Sequence, residues 1–224
     1  MDIGLPKPLD ELGRIEGGAI TNFYGAAGTG KTNLCLLACL ECVRKGGKPV
    51  FIDTEGGFSL ERVKQLVPNY KETLDKITLL EPKSFEEQGK IIRSLQEKEF
   101  DMIVLDSAVA LYRLEYADPM KEAIEPNREL SKQLSVLSNT AREKKMPVII
   151  TSHVFRSWET QKNEIVGGDS VRYWSKVIVF LERTGRTSER KATIIKHRWV
   201  PEGKSVKFVI VQEGIKPASG FKLF

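Results

Sequence analysis

A chain of 224 residues with 41% hydrophobic and 29% charged residues can bury a sizeable core, which excludes a disordered or fibrous polymer. No run approaches the ~18 apolar residues of a membrane helix, and residues 1–8 lack the apolar stretch of a signal peptide; a cytoplasmic protein without membrane contact is expected. The net charge of +5 is unevenly spread, with 14 Lys/Arg against 7 Asp/Glu from Arg156 onward, which hints at a polyanionic partner.

Strand and helix patterns alternate over the first 150 residues, predicting an α/β fold with a mostly parallel sheet covered on both faces. Residues 19–24 form a first apolar strand that runs into the segment Gly25-Ala26-Ala27-Gly28-Thr29-Gly30-Lys31-Thr32. A helix is expected over 32–45, stopped by Gly46-Gly47. A buried strand follows at 49–53, then a short helix capped by Ser59 and ending before Pro68, then a short edge strand at 77–80. Ser84-Phe85-Glu86-Glu87 reads as a capping box opening a helix to about residue 98. Residues 102–105 are again strand-like, and 127–145 carry Leu130, Leu134, Leu137 and Ala141 at helical spacing. A buried strand is expected at 147–151. Beyond it, 177–182, 192–197 and 206–212 read as strands joined by polar turns, an antiparallel extension of the same sheet. With no linker or repeat, residues 1–224 read as one domain opening with a short segment, 1–18.

Cys35, Cys39 and Cys42 have the C-x3-C-x2-C spacing of an iron–sulfur cluster motif. The same spacing is one face of a helix, with Leu34, Leu37 and Ala38 alongside, and buried thiols are the expectation.

Gly25 to Thr32 matches the G-x-x-x-x-G-K-[ST] phosphate loop without a gap, between a strand and a helix. Backbone N–H groups there converge on phosphates, Lys31 reaches the β/γ oxygens, and Thr32 offers a hydroxyl to Mg2+. These residues and Asn33 are the expected ATP site. Asp106, emerging from an apolar strand, is the expected second metal ligand. Glu55, just past the strand ending at Asp53, is placed to orient or deprotonate water; spacing alone leaves a plain loop carboxylate equally open.

The runs Phe51-Ile52-Asp53-Thr54-Glu55-Gly56, Glu61-Arg62, Leu105-Asp106-Ser107, Ala110-Leu111-Tyr112-Arg113, Gly167-Gly168 and Val200-Pro201-Glu202 occur in the order of the RecA/RadA recombinase family. The chain resembles that family over residues 10–215, and within it the short archaeal paralogues. The resemblance implies a RecA-like core. It places Glu55 as the catalytic carboxylate and Arg62 against adenine, with a helix-surface arginine as the alternative for the latter. It also implies two DNA-facing loops, at about 117–126 and 155–173. The second holds Arg156, Trp158, Lys162, Arg172 and Tyr173, a cation–aromatic mixture suited to single-stranded DNA. The first, with Asp118, Glu122 and Glu125, is more acidic than a DNA-gripping loop should be. Trp174 fits a stacking role or a packed one equally.

Three departures from the family pattern shape the functional expectation. Ser152-His153 stands where the family has Asn-Gln, so His153 becomes the candidate γ-phosphate sensor. Fewer than 20 residues precede the first strand, so the family's helical DNA-binding domain and its Phe-x-x-Ala polymerisation segment are not expected. Lys196 and Arg198, two apart, would share one face of a strand and could act as fingers on a neighbouring subunit's ATP, with a solvated basic strand as the bland alternative. Together these imply a weak Mg2+-dependent ATPase that binds DNA, preferably single-stranded, and assists homologous recombination and repair. It would act as a homo-oligomer or with a full-length recombinase and other repair proteins. The alternatives are a largely non-enzymatic mediator and a KaiC-like signalling ATPase without DNA.

Overall fold

The computed structural model describes residues 1–116, 124–156 and 163–218. Its elements run β1 (Ile20–Gly25), α1 (Lys31–Arg44), β2 (Pro49–Asp53), α2 (Leu60–Leu66), α3 (Tyr70–Leu74), β3 (Thr78–Leu80), α4 (Phe85–Ser94), β4 (Met102–Asp106), α5 (Ala110–Tyr116), α6 (Ile124–Lys144), β5 (Val148–Ser152), β6 (Val154–Arg156), β7 (Asn163–Ile165), α7 (Gly168–Trp174), β8 (Ser175–Arg183), β9 (Glu189–Lys196), β10 (Ser205–Val211) and β11 (Gly214–Pro217).

Among the described residues nine strands form one sheet in the order β11-β10-β9-β8-β1-β5-β4-β2-β3. The strands from β8 to β3 are parallel, and β9, β10 and β11 extend the β8 edge antiparallel. The expected mixed sheet is therefore present, with β8 belonging to its parallel part. The period-2 alternation of side chains builds two cores from one strand. In β4, Met102 and Val104 join the core with α1, while Ile103 and Leu105 join the opposite core with Leu130, Leu134 and Leu137 of α6. Burial on both faces is why β2, β4 and β5 are apolar up to their polar carboxyl ends.

The predicted caps form. Ser59 Oγ accepts from the Arg62 N–H, and Ser84 Oγ from the Glu87 N–H at 3.1 Å, while Glu87 reaches back to the Lys83 N–H. Among the described residues α6 already runs from Ile124 and includes Pro126, ahead of the expected 127. The segment before β1 is not a loose tail: Ile3, Leu9, Leu12 and Ile15 are buried, and Ile3 and Ile15 bridge each other. Cys35, Cys39 and Cys42 are free and buried in the α1 core, and burial pushes the Cys42 thiol up to about 12. Inert packing explains their spacing. Among the described residues no helix is long and apolar enough to cross a membrane.

Candidate ATP site and its surroundings

β1, β2, β4 and β5 end at one edge of the sheet, and each delivers a group from its carboxyl end, where open α/β sheets bind ligands. Gly30, left-handed at φ 100°, turns the chain into α1 so that Lys31 is the first helical residue. Lys31 is 7% exposed, and its Nζ donates to Gly25 O at 2.9 Å and Ala26 O at 3.1 Å, curling inside the loop. Burial lowers its amine below the usual value, opposed by the charges of Asp106 and Glu55.

Asp106 is buried at the end of β4 and accepts from the Thr151 and Thr32 hydroxyls. Burial raises its carboxyl above the ordinary value, partly offset by those hydrogen bonds. An added Cβ at Gly57 would lie 3.3 Å from Thr32 Cγ2 and 3.8 Å from Asp106 Oδ2, so the space beside this pair is open because position 57 has no side chain. A hydroxyl and a carboxylate with room beside them suit a hard cation that takes its other ligands from phosphate and water. The residues present fit Mg2+.

Glu55 owes its position to a neighbour that sequence reasoning treated only as a strand end. Asp53, 3% exposed, accepts from the backbone N–H groups of Glu55, Gly57 and Phe58 at 3.1, 3.1 and 2.8 Å and so fixes the turn. Thr54 and Ser107 exchange reciprocal bonds of 2.9 and 2.8 Å, locking that turn to the end of β4. Glu55 then meets His153, with Nε2 2.7 Å from Oε1. This bond, with help from Ser107, holds the Glu55 carboxyl below its ordinary value against the opposing effect of burial. The pair opens into a hollow lined by Tyr112, Arg113, Phe155, Val166 and Asp169, on the side of the β6–β7 ribbon.

Arg62 and Asn33 come together as a unit. Arg62 Nε donates to Asn33 Oδ1 at 2.8 Å, and its Nη atoms donate to Gln212 O at 2.8 Å and Val211 O at 2.9 Å, tying α2 to the β10–β11 turn. The guanidinium edges are occupied, which leaves its flat faces for a ring; Asn33 Nδ2 is buried with no partner. Two further residues absent from the sequence reading, Arg183 and Arg190, donate to Gly28 O of the loop.

Two geometric expectations are corrected. The stretch 155–173 is not one loop: Val154–Arg156 and Asn163–Ile165 pair as a ribbon, and Gly167 opens the helix Gly168–Trp174. That helix carries Arg172 and Tyr173 in its last turn, just before Ser175 of β8, which pairs with Ile20. Trp158 and Lys162 lie outside the described residues, as do Asp118 and Glu122. Trp174 is partly buried, its indole N–H donating to Ser131 Oγ at 3.2 Å.

Likewise Lys196 and Arg198 do not share a strand face. β9 ends at Lys196, because His197 Nδ1 accepts the N–H groups of Trp199 and Val200 and turns the chain. Lys196 Nζ donates to Arg172 O and Ser175 O at 2.8 Å each, whereas Arg198 lies 3.6 Å from buried Glu16. Both stand at the sheet edge opposite their own phosphate loop, since Lys196 pairs with Ile178 near the start of β8.

Comparison with known proteins agrees with the fold. The family profile described as Rad51 matches residues 6–218. Proteins named DNA repair and recombination protein RadB are similar along nearly their whole length. The one from Methanococcoides burtonii is 42% identical over 94% of this chain and 95% of its own. One from Methanococcus maripaludis strain C5 is 43% identical over 93% and 96%. A crystal structure of a RadB recombinase superposes with a TM-score of 0.81 at 34% identity, covering 95% of this chain and 97% of that one.

Proposed function

The chain belongs to the Rad51 family of RecA-like repair and recombination proteins, and from that premise we propose that it is a DNA-binding, Mg2+-dependent ATPase of low turnover that assists homologous recombination and repair. The observation that carries this reading is the convergence of Lys31, Thr32, Asp106 and the Glu55–His153 pair at one sheet edge.

Each residue has a part. Gly25 to Thr32 cradles the phosphates, with Lys31 released from Gly25 O and Ala26 O to the β/γ oxygens. Thr32 and Asp106 would hold Mg2+, which would supply positive charge beside the phosphates. Glu55, kept ionised, accepts a proton or hydrogen bond from the attacking water, and His153 senses the γ-phosphate through its bond to Glu55. Arg62 and Asn33 hold the adenine. Low turnover follows because His153 occupies a Glu55 oxygen that would otherwise face water. Single-stranded DNA binds on the side of the β6–β7 ribbon, and Arg198 stands free of its own site for use against a neighbouring copy.

The test is steady-state ATP turnover with and without single-stranded DNA, for the wild type and Lys31→Ala. The reading predicts slow hydrolysis that Lys31→Ala abolishes and that DNA alters. Rapid turnover indifferent to DNA, or no DNA binding at low salt, sinks it.

A further inference from the structure

Arg183 and Arg190 stand directly opposite each other on β8 and β9. Both turn onto the phosphate loop and donate through Nε to a single acceptor, Gly28 O, at 3.4 and 3.2 Å. The contact is intimate, because a Cβ added at Gly28 would lie 2.0 Å from Arg183 Nη2. The phosphate-loop motif leaves position 28 free to be any residue. Glycine stands there because the backbone is left-handed, at φ 71°, and because Arg183 fills the space of a side chain.

Two like charges directly opposite across a strand pair repel each other. The nearby carboxylates answer other cations: Glu182 faces Lys191 at 3.5 Å, and Glu189 faces Arg186 at 3.9 Å. Arg190 Nη1 is bonded to Glu189 O, a neutral carbonyl. Burial, and then the charge of Arg183, hold the Arg190 guanidinium below its ordinary value. Two cations thus converge on one neutral oxygen of a loop whose function, on the reading above, is to hold an anion.

We propose that Arg183 and Arg190 are positioning residues for the nucleotide triphosphate, fixing the phosphate loop through Gly28 and adding in cis the positive charge that favours the more highly charged nucleotide. The inference rests on the ATP reading of the site. It also changes the expected division of labour, because the cations nearest to hand belong to the same subunit, whereas Lys196 and Arg198 lie at the opposite sheet edge.

The experiment measures binding of fluorescent ATP and ADP analogues at low and high salt, with thermal melts of the nucleotide-free proteins. It compares the wild type with Arg183→Ala, Arg190→Ala and Arg190→Lys. Loss of one charged donor should weaken ATP binding by roughly tenfold, weaken ADP less, and reduce the salt dependence of affinity. Arg190→Lys should recover part of the affinity. The nucleotide-free melting temperature should hold or rise, because a like-charge repulsion is relieved. ATP affinity within twofold of wild type, with a lowered melting temperature, would mean a purely structural pair and overturn the proposal. Failure of the wild type itself to bind ATP would overturn the ATP reading and this inference together, so the two failures are separable.

Discussion

His153 Nε2 lies 2.7 Å from Glu55 Oε1, joining the residue after β5 to the turn after β2 beside the phosphate loop. Replacing Glu55 by Gln keeps the shape but removes the proton acceptor. ATP binding should persist while turnover falls by about 100-fold or more. Equal fluorescent-nucleotide affinity with lost hydrolysis is the expected pairing; unchanged hydrolysis would remove Glu55 from the mechanism.

The same contact has an acid signature. The His153 hydrogen bond depresses the Glu55 carboxyl in the folded state below 4.5, its ordinary value. Its stabilisation is therefore present above the unfolded value and lost as pH falls through the lower folded one. The melting temperature of His153→Ala should lie below wild type at neutral pH, and the gap should close as pH falls below 4.5. A gap that stays constant with pH would show that the Glu55 carboxylate is not involved.

Asp106 is a buried carboxylate whose ionised form burial disfavours. Asp106→Asn should leave nucleotide-free stability equal or raise the melting point by about 2–4 °C, since the amide removes a desolvated charge. The stabilisation that Mg-ATP gives the wild type should vanish. Thermal shift with and without Mg-ATP checks both halves.

Phe208 of β10 is fully buried in the α1-side core although its strand lies near the sheet edge. Phe208→Ala should cost roughly 3–5 kcal/mol in urea unfolding. A loss below about 1 kcal/mol would indicate that the β9–β11 extension frays independently of the parallel sheet.

Arg62 binds three carbonyls at the β10–β11 turn, those of Val211, Gln212 and Gly214, through its planar fork, a geometry lysine lacks. Arg62→Lys should weaken ATP binding about tenfold while leaving the fold intact by circular dichroism. Unchanged ATP affinity would confine Arg62 to tying α2 to the turn.

What could be read in advance follows physical range. β4 was legible because Met102-Ile103-Val104-Leu105 is apolar on both faces, and α4 because Ser84 and Glu87 cap it locally. Helix α7 was not, because it is a seven-residue helix opened by Gly167 and held at its far end by Lys196, a residue 24 positions from Arg172. Lys196 and Arg198 were misplaced because period-2 alternation holds only while a strand continues, and His197 ends β9 between them.

The sequence alone determined the contiguous chemistry: a loop whose glycines, Lys31 and Thr32 are adjacent, and carboxylates delivered at the ends of apolar strands. These depend on neighbours along the chain, where spacing is enough. Only the tertiary structure decided that Glu55 meets His153, 98 residues away, and that Arg183 meets Gly28, 155 residues away. Such contacts depend on strand order and register, which the pattern of apolar residues constrains without specifying the partner.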